Sequence, residues 1–316
     1  MKIFGIFTID PGAQKILILV LSLLLFFTVL FYVWKQFKKF PLLDEMILRT
    51  HSWWAIFFLY LIFFCIHPLF GQVGWAVLGL ATLKELFDKF PEAQLPRRIK
   101  YLAYIFAVMQ FVAATTNHLL PTIILIPVVY FNIVHIWTLL FEDPKAVMTA
   151  VPVSLWGLLL AIYGLSHLSL LLALPKISGY EGSTSSLFLF FLFLTQFNDV
   201  LQFIWGTLLG KHKIAPVLSP KKTWEGFLGG VATTTLLAFL LRDITPFSAF
   251  QSLVVGLVLS VTGYLGDLNI SAIKRNLSLK DMGNVIPGHG GLLDRLDSVT
   301  FSSVVYFYLI YYWFFV

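Results

Sequence analysis

The chain has 316 residues, of which 59% are hydrophobic and only 12% charged, with a mean hydropathy of +0.86 and a formal net charge of +6. That balance excludes a soluble nucleotide-binding module and gives no reason to expect nucleic acid as a partner; it reads as an integral membrane protein. The single cysteine, Cys65, lies in an apolar run, which excludes an intrachain disulfide.

A crossing helix needs about 20 mostly apolar residues. Taken in order, the apolar runs predict an all-α polytopic membrane bundle of about ten spans, with nine as the other count. They lie near 16–34, 53–70, 72–88, 101–119, 121–141, 150–173, 186–206, 226–241, 250–267 and 299–316. The third and eighth are the weakest. No small-residue cleavage site follows the first run, so a removable leader is not expected. Segment 35–50 mixes bases with Phe37, Phe40 and leucines, which suits either a surface-lying amphipathic stretch or a short linker. Leu120-Pro121 separates the fourth and fifth runs. Residues 1–185 form a multi-span N-terminal region. Residues 186–316 carry the polar loops 207–225 and 268–297.

The cations set the orientation. Lys35, Lys38, Lys39 and Arg49 follow span one; Lys84, Lys89, Arg97, Arg98 and Lys100 follow span three. Lys211, Lys213, Lys221 and Lys222 follow span seven; Lys274, Arg275, Lys280 and Arg295 follow span nine. With ten spans all four clusters fall on one side, the cytoplasmic side by the positive-inside rule. Both termini then face outward. Glu85, closing span three, is expected to be paired at the interface rather than to face a site.

Polar residues inside the apolar runs point to function. Span seven carries Gln196, Asn198, Asp199 and Gln202. An ionisable group there faces a cavity or a partner, although a polar helix-packing cluster gives the same pattern. In the loop that follows, Ser219-Pro220 and Thr223 can open the next helix and leave its N-terminal amides to an anion. Lys221 and Lys222 supply charge there, as ordinary juxtamembrane lysines also would.

The densest charge lies between Asp267 and Asp297, where 31 residues hold eight of the chain's 38 Asp, Glu, Lys and Arg residues, four of each sign. Asp267, Ser271 and Lys274 share one helical face, and Asp294 and Asp297 share a face of the next helix. Between them the turn from Pro287 to Gly291 cannot be helical, and its glycines let backbone amides approach a ligand. Such a set suits Mg²⁺ with phosphates. A solvated headgroup-level loop accounts for the composition equally well.

The ordered pattern is more specific. Ser271-x-x-Lys274-Arg275, then Lys280-Asp281-x-Gly283, then Pro287-Gly288-His289-Gly290-Gly291-x-x-Asp294-Arg295-x-Asp297 resembles the signature of the phosphatidate cytidylyltransferases, or CDP-diacylglycerol synthases. Upstream, Gly210 to Pro216 and Ser219 to Gly226 resemble the second conserved block of that family, and Asn198-Asp199 with Gly206 resembles the Asn-Asp or Ala-Asp pair and later Gly that its members carry in span seven. The matches span roughly the last 120 residues. The chain departs at Leu201-Gln202-Phe203, where the family carries Ala-Tyr, which suits a divergent or accessory bacterial branch and leaves lipid or nucleotide selectivity open.

The resemblance implies transfer of the cytidylyl group of CTP to phosphatidate, giving CDP-diacylglycerol and pyrophosphate. It implies Mg²⁺ on Asp267 and Asp294, with room for a second cation, and chemistry carried by these two with Lys274, Arg275, Asp281 and Asp297. Substrate phosphates would meet Ser219, Lys221, Lys222, Thr223, Ser271, Lys280, His289, Gly290 and Arg295, and Asp199 is a candidate for the nucleotide or metal site. CTP, phosphatidate and membrane lipids are the expected partners, a homodimer is left open, and the site is expected at the cytoplasmic face of a bacterial inner membrane. The rival readings are a CTP-dependent polyprenol-type lipid kinase, a cytidylyltransferase for another phospholipid and a non-catalytic multi-span protein.

Overall fold

The structure, a computed structural model, describes residues 2–3, 7–8, 10–37, 41–66, 68–283 and 290–316. Among them the chain forms ten helices: α1 (Pro11–Phe37), α2 (Pro41–Ile66), α3 (Pro68–Phe87), α4 (Arg97–Thr115), α5 (Leu119–Phe141), α6 (Pro144–Ala173), α7 (Thr184–Leu208), α8 (Trp224–Leu240), α9 (Ala249–Asn276) and α10 (Leu293–Phe315). Two small antiparallel hairpins accompany them, β1 (Lys2–Ile3) with β2 (Phe7–Thr8), and β3 (Lys213–Ala215) with β4 (Ser219–Thr223). The protein is an all-α membrane protein. Among the described residues six helices (α1, α5, α6, α7, α9 and α10) are long and apolar enough to cross a bilayer. Ten crossings are therefore not established, because α8 has only 17 residues and α4 opens on Arg97, Arg98 and Lys100.

Helix boundaries follow local chemistry. Residues 41–50 are neither a linker nor a separate surface segment but the first turns of α2. Pro41 opens that helix, and Asp44 in its first turn reaches back 2.7 Å to Lys35. The break between α4 and α5 falls at Asn117, whose φ of 58° lies in the left-handed region that asparagine tolerates. Pro127 sits in a π-helical turn, 125–130, inside α5; with no N–H to give, it shifts the hydrogen-bond register of the turn. α9 begins with a reciprocal cap: the Gln251 amide donates to Ser248 Oγ at 3.2 Å, and the Ser248 amide to Gln251 Oε1 at 2.9 Å.

Helices α7, α8, α9 and α10 run alternately up and down and pack in sequence. The C-termini of α7 and α9 therefore share one end of the bundle with the N-termini of α8 and α10. Asn198, fully buried on α7, binds two neighbours: it donates to Ser260 O of α9 at 3.3 Å and accepts from Thr234 of α8 at 3.1 Å. At the far end Tyr306, Phe307, Phe188, Phe190 and Phe191 fill the core, and the Tyr306 hydroxyl donates to Leu187 O at 2.9 Å. α6 closes the side of α10, where Ser303 donates to Gly164 O at 2.7 Å. A smaller apolar cluster of Leu86, Leu160, Ile270, Met282 and Leu293 pins the end of the 277–283 loop under α3, α6, α9 and α10.

Candidate active site

Asp199 and Asp267 each lie nine residues before the C-terminus of their helix, α7 and α9, so both sit roughly 13 Å below the helix ends. Asp297 stands in the second turn of α10. What brings it close is Gly266: any Cβ there would collide with Asp297 O and with Phe301. The missing side chain lets α9 and α10 touch, so Asp267, the residue after Gly266, and Asp297 belong to the same helix crossing. Ser298 links two of them. Its amide donates to Asp297 Oδ1 at 2.7 Å, and its hydroxyl lies 3.1 Å and 3.3 Å from the two Asp199 oxygens.

Cations arrive from the flanking loops. Lys222, at the end of β4, stands 2.7 Å from Asp267 Oδ2 and 4.3 Å above the centre of the Tyr264 ring. Ser271 donates to the other Asp267 oxygen at 3.3 Å. Lys274 turns the opposite way and pairs with Asp294 Oδ1 at 2.7 Å, with both side chains largely buried. Asp294 Oδ2 accepts the amides of Met282 at 2.7 Å and Gly291 at 2.9 Å. Gly290 makes this turn: its φ is 81°, and a Cβ would press on Asp294 Oδ2. The expected metal pair is thus divided in this structure, Asp267 facing Lys222 and Asp294 facing Lys274 and two amides.

Several roles differ from the sequence reading. The described amides after the Gly-rich turn are not open to a ligand, because Asp294 takes Gly291 and the Glu85 carboxylate takes Leu292 at 3.1 Å and Leu293 at 2.9 Å. Glu85 therefore reaches the start of α10 rather than pairing at the interface. The N-terminal amides of α8 are likewise engaged: Trp224 donates to His212 O at 2.9 Å, and Gly226 to Thr223 Oγ1 at 3.2 Å. Arg275 ties loops together through Leu218 O at 3.3 Å and Leu279 O at 3.2 Å. Lys221, Lys280 and Asp281 are exposed, Ser219 lies on β4, and His289 falls outside the described residues.

Asn198 and Asp199, adjacent in sequence, divide the two readings of span seven. Asn198 packs helices, and Asp199 joins the carboxylates. Two buried donors at the same crossings, Gln202 Nε2 and the Tyr264 hydroxyl, lack a hydrogen-bond partner among the described residues. Glu225 was not singled out by the sequence. It accepts the Lys211 amide at 2.9 Å and also holds His212, which pulls its carboxyl down to about 2 and locks the β3–β4 hairpin to α8. A signal for Tyr264 did exist: it precedes Asp267 by three residues, on the same helical face.

Among the described residues no three His, Cys, Asp or Glu side chains converge as a ready-made cation cage. Mg²⁺ does not require one, since it commonly takes one or two carboxylates and fills its shell with water and phosphate oxygens. Asp267, with one oxygen 2.7 Å from Lys222 and the other 3.3 Å from the Ser271 hydroxyl, is the carboxylate that would give an oxygen to such an ion.

A family model described as the cytidylyltransferase family matches residues 47–313. An uncharacterized protein, YnbB, of Escherichia coli is 34% identical over 275 residues, which cover 85% of this chain and 88% of that protein. A phosphatidate cytidylyltransferase of Staphylococcus saprophyticus is 40% identical over 126 residues, 39% of this chain and 48% of its own length. One from Mycobacterium bovis is 44% identical over 111 residues, 34% of this chain and 35% of its own length. These named enzymes are matched over less than half their length, whereas the family model spans most of the chain. The chain belongs to the cytidylyltransferase family.

Proposed function

We propose that the protein transfers the cytidylyl group of CTP to phosphatidate at the charged end of α7–α10, giving CDP-diacylglycerol and pyrophosphate. The observation that carries this reading is the polar crossing of α7, α9 and α10: Ser298 bridges Asp199 and Asp297, Gly266 seats α9 against Asp297 O, and Lys222 stands 2.7 Å from Asp267. A phosphate oxygen of phosphatidate attacks the α-phosphorus of CTP, and the bond to the pyrophosphate leaving group breaks. Both partners are polyanions, so the protein's work is neutralisation and alignment. Mg²⁺ held by Asp267, with Asp199 and Asp297 beside it, would supply positive charge to the triphosphate; the reading leaves room for a second cation. For Asp294 to serve as a ligand it would have to exchange Lys274 for the ion. In the geometry above Asp294 holds Lys274 instead, at the mouth of the site. Lys222, Arg295 and the rim residues Lys221, Arg275 and Lys280 supply further charge for phosphates.

The same reading places the site at the cytoplasmic face of a bacterial inner membrane, with ten spans and the four cation clusters on one side. Phosphatidate reaches it sideways from the bilayer, with its chains still in lipid. A lipid kinase using CTP is the second reading, because it needs the same charge neutralisation. Position-labelled CTP separates the two in purified, detergent-solubilised protein. Label from the α-phosphate enters the lipid only in cytidylyl transfer, and label from the γ-phosphate only in the kinase reaction. Incorporation of γ-label alone would replace the proposal with the kinase.

A further inference from the structure

We propose that Glu85 is a positioning residue for this site: its carboxylate, delivered by α3, caps the start of α10 across the fold and sets where Asp294, Arg295 and Asp297 stand. The proposal rests on the cytidylyl-transfer reading for its consequence in catalysis, and on geometry alone for the clamp. α10 has no cap of its own. Leu292 occupies the cap position in helical conformation, with no side-chain acceptor to offer. A helix start leaves its first amides without partners, and here they are met from 207 and 208 residues away. Leu292 N–H donates to Glu85 Oε1 at 3.1 Å and Leu293 N–H to Oε2 at 2.9 Å. Both oxygens are used, and a negative charge at this end of a helix is favoured by the aligned peptide dipoles.

The surroundings are fitted to that carboxylate. A Cβ at Gly283 or at Gly291 would collide with it, so both sides of the signature loop leave it room. The next residue, Leu86, is buried in the same apolar cluster as Met282 and Leu293, which holds the end of α3 against the loop and the helix start. Two carboxylates therefore grip one turn. Asp294 secures the loop and Lys274, while Glu85 secures the backbone from which Asp294 and Asp297 project. Both Glu85 oxygens are engaged by backbone amides, so the residue is assigned no part in bond making.

The test compares wild type with Glu85→Gln and Glu85→Ala, purified in detergent, with CTP, Mg²⁺ and phosphatidate. Displacing reacting groups by about an ångström can cost roughly 100-fold in rate. The expected result is a fall in kcat by about that factor for Glu85→Ala and a smaller fall for Glu85→Gln, with KM for CTP changed by less than about threefold. A merely structural contact would lower the amount of folded enzyme and leave the kcat of the folded fraction unchanged; that outcome overturns the proposal. If Glu85→Ala does not fold, Glu85→Gln decides by the same criterion. Hydrogen exchange is read in parallel. The 292–293 amides should be protected in wild type and exchange about tenfold or more faster in Glu85→Gln, as a charge-assisted bond is lost. Unchanged exchange rejects the clamp. Should wild type make no CDP-diacylglycerol, the functional reading fails, and the exchange result still decides the clamp.

Discussion

Each end of the bundle has a carboxylate at the start of a helix, and the two are used differently. At one end Asp10 accepts the amides of Gly12 and Ala13, both at 3.0 Å, together with the hydroxyls of Ser183 and Ser186, so it joins the starts of α1 and α7. The donors it meets are neutral hydrogen-bonding groups. At the other end Asp294 also accepts two amides, but it adds the ammonium of Lys274; one turn on along α10 lies Asp297, which Ser298 links to Asp199 of α7, while Asp267 of α9 faces Lys222. A lone carboxylate satisfied by amides and hydroxyls is a cap. Carboxylates that share one helix crossing, set among lysines below the helix ends, spend folding free energy on an arrangement that packing alone would not select.

That contrast can be broken at several points. The largest effect is expected for Asp294→Asn, which removes the charge facing buried Lys274. Turnover should fall by at least about 100-fold, the scale for losing one preorganised charge contact. The broken buried pair should also lower stability by about 3–5 kcal/mol, so activity must be scaled to folded protein by size-exclusion elution and thermal melting. Wild-type turnover in that variant would remove Asp294 from the site.

Lys222→Ala sharpens the comparison, because Lys222 and a metal ion compete for Asp267. The expected outcome is a lower kcat, by about tenfold or more, together with half-saturation at a lower Mg²⁺ concentration. A higher Mg²⁺ requirement would mean that Lys222 assists the ion rather than competing with it.

Asp10→Ala should behave in the opposite manner. Losing a helix cap costs about 1–2 kcal/mol, seen as a lower melting temperature, while kcat and KM stay within about twofold of wild type. A large loss of activity in a folded Asp10→Ala protein would erase the distinction between the two ends.

The smallest effect concerns Glu225. Its carboxyl is held at about 2 by the Lys211 amide and His212, below its unfolded value. The hairpin latch it makes is therefore fully present above the unfolded pKa of Glu, about 4.5, and is lost only as pH falls toward 2. In a His212→Asn background, which removes the other titratable partner of the latch, exchange of the Lys211 amide should show no ionisation-linked step between pH 6 and 9, once the intrinsic base catalysis of exchange is divided out. A step inside that window would contradict the assignment.

The parts of this fold legible in sequence were those set by local chemistry. Apolar run length gave the helices, and the spacing of Asp267 and Ser271 correctly placed them on one face, where they touch. The adjacent pair Asn198-Asp199 was visible as polar within an apolar run, but which of the two packs and which faces the carboxylates depends on where α8 and α9 lie. Lys274 shares the helical face of Asp267 and still bonds across to Asp294, because the loop through Met282 folds back under α3. Glu85 was hidden for a related reason. It lies more than 200 residues from the helix start it caps, and its only local sign was a Lys-Glu pair closing an apolar helix. The start of α2 was missed because Phe37 and Phe40 among lysines imitate a surface segment, whereas Pro41 and Asp44 open a continuous helix.

The most direct test of the central claim follows two products at once in purified wild-type protein given CTP, Mg²⁺ and phosphatidate, with Asp267→Asn run beside it. The account predicts pyrophosphate and CDP-diacylglycerol in equal amounts, no CDP, and loss of both products in the variant. CDP without pyrophosphate, or equal turnover by wild type and Asp267→Asn, would contradict it.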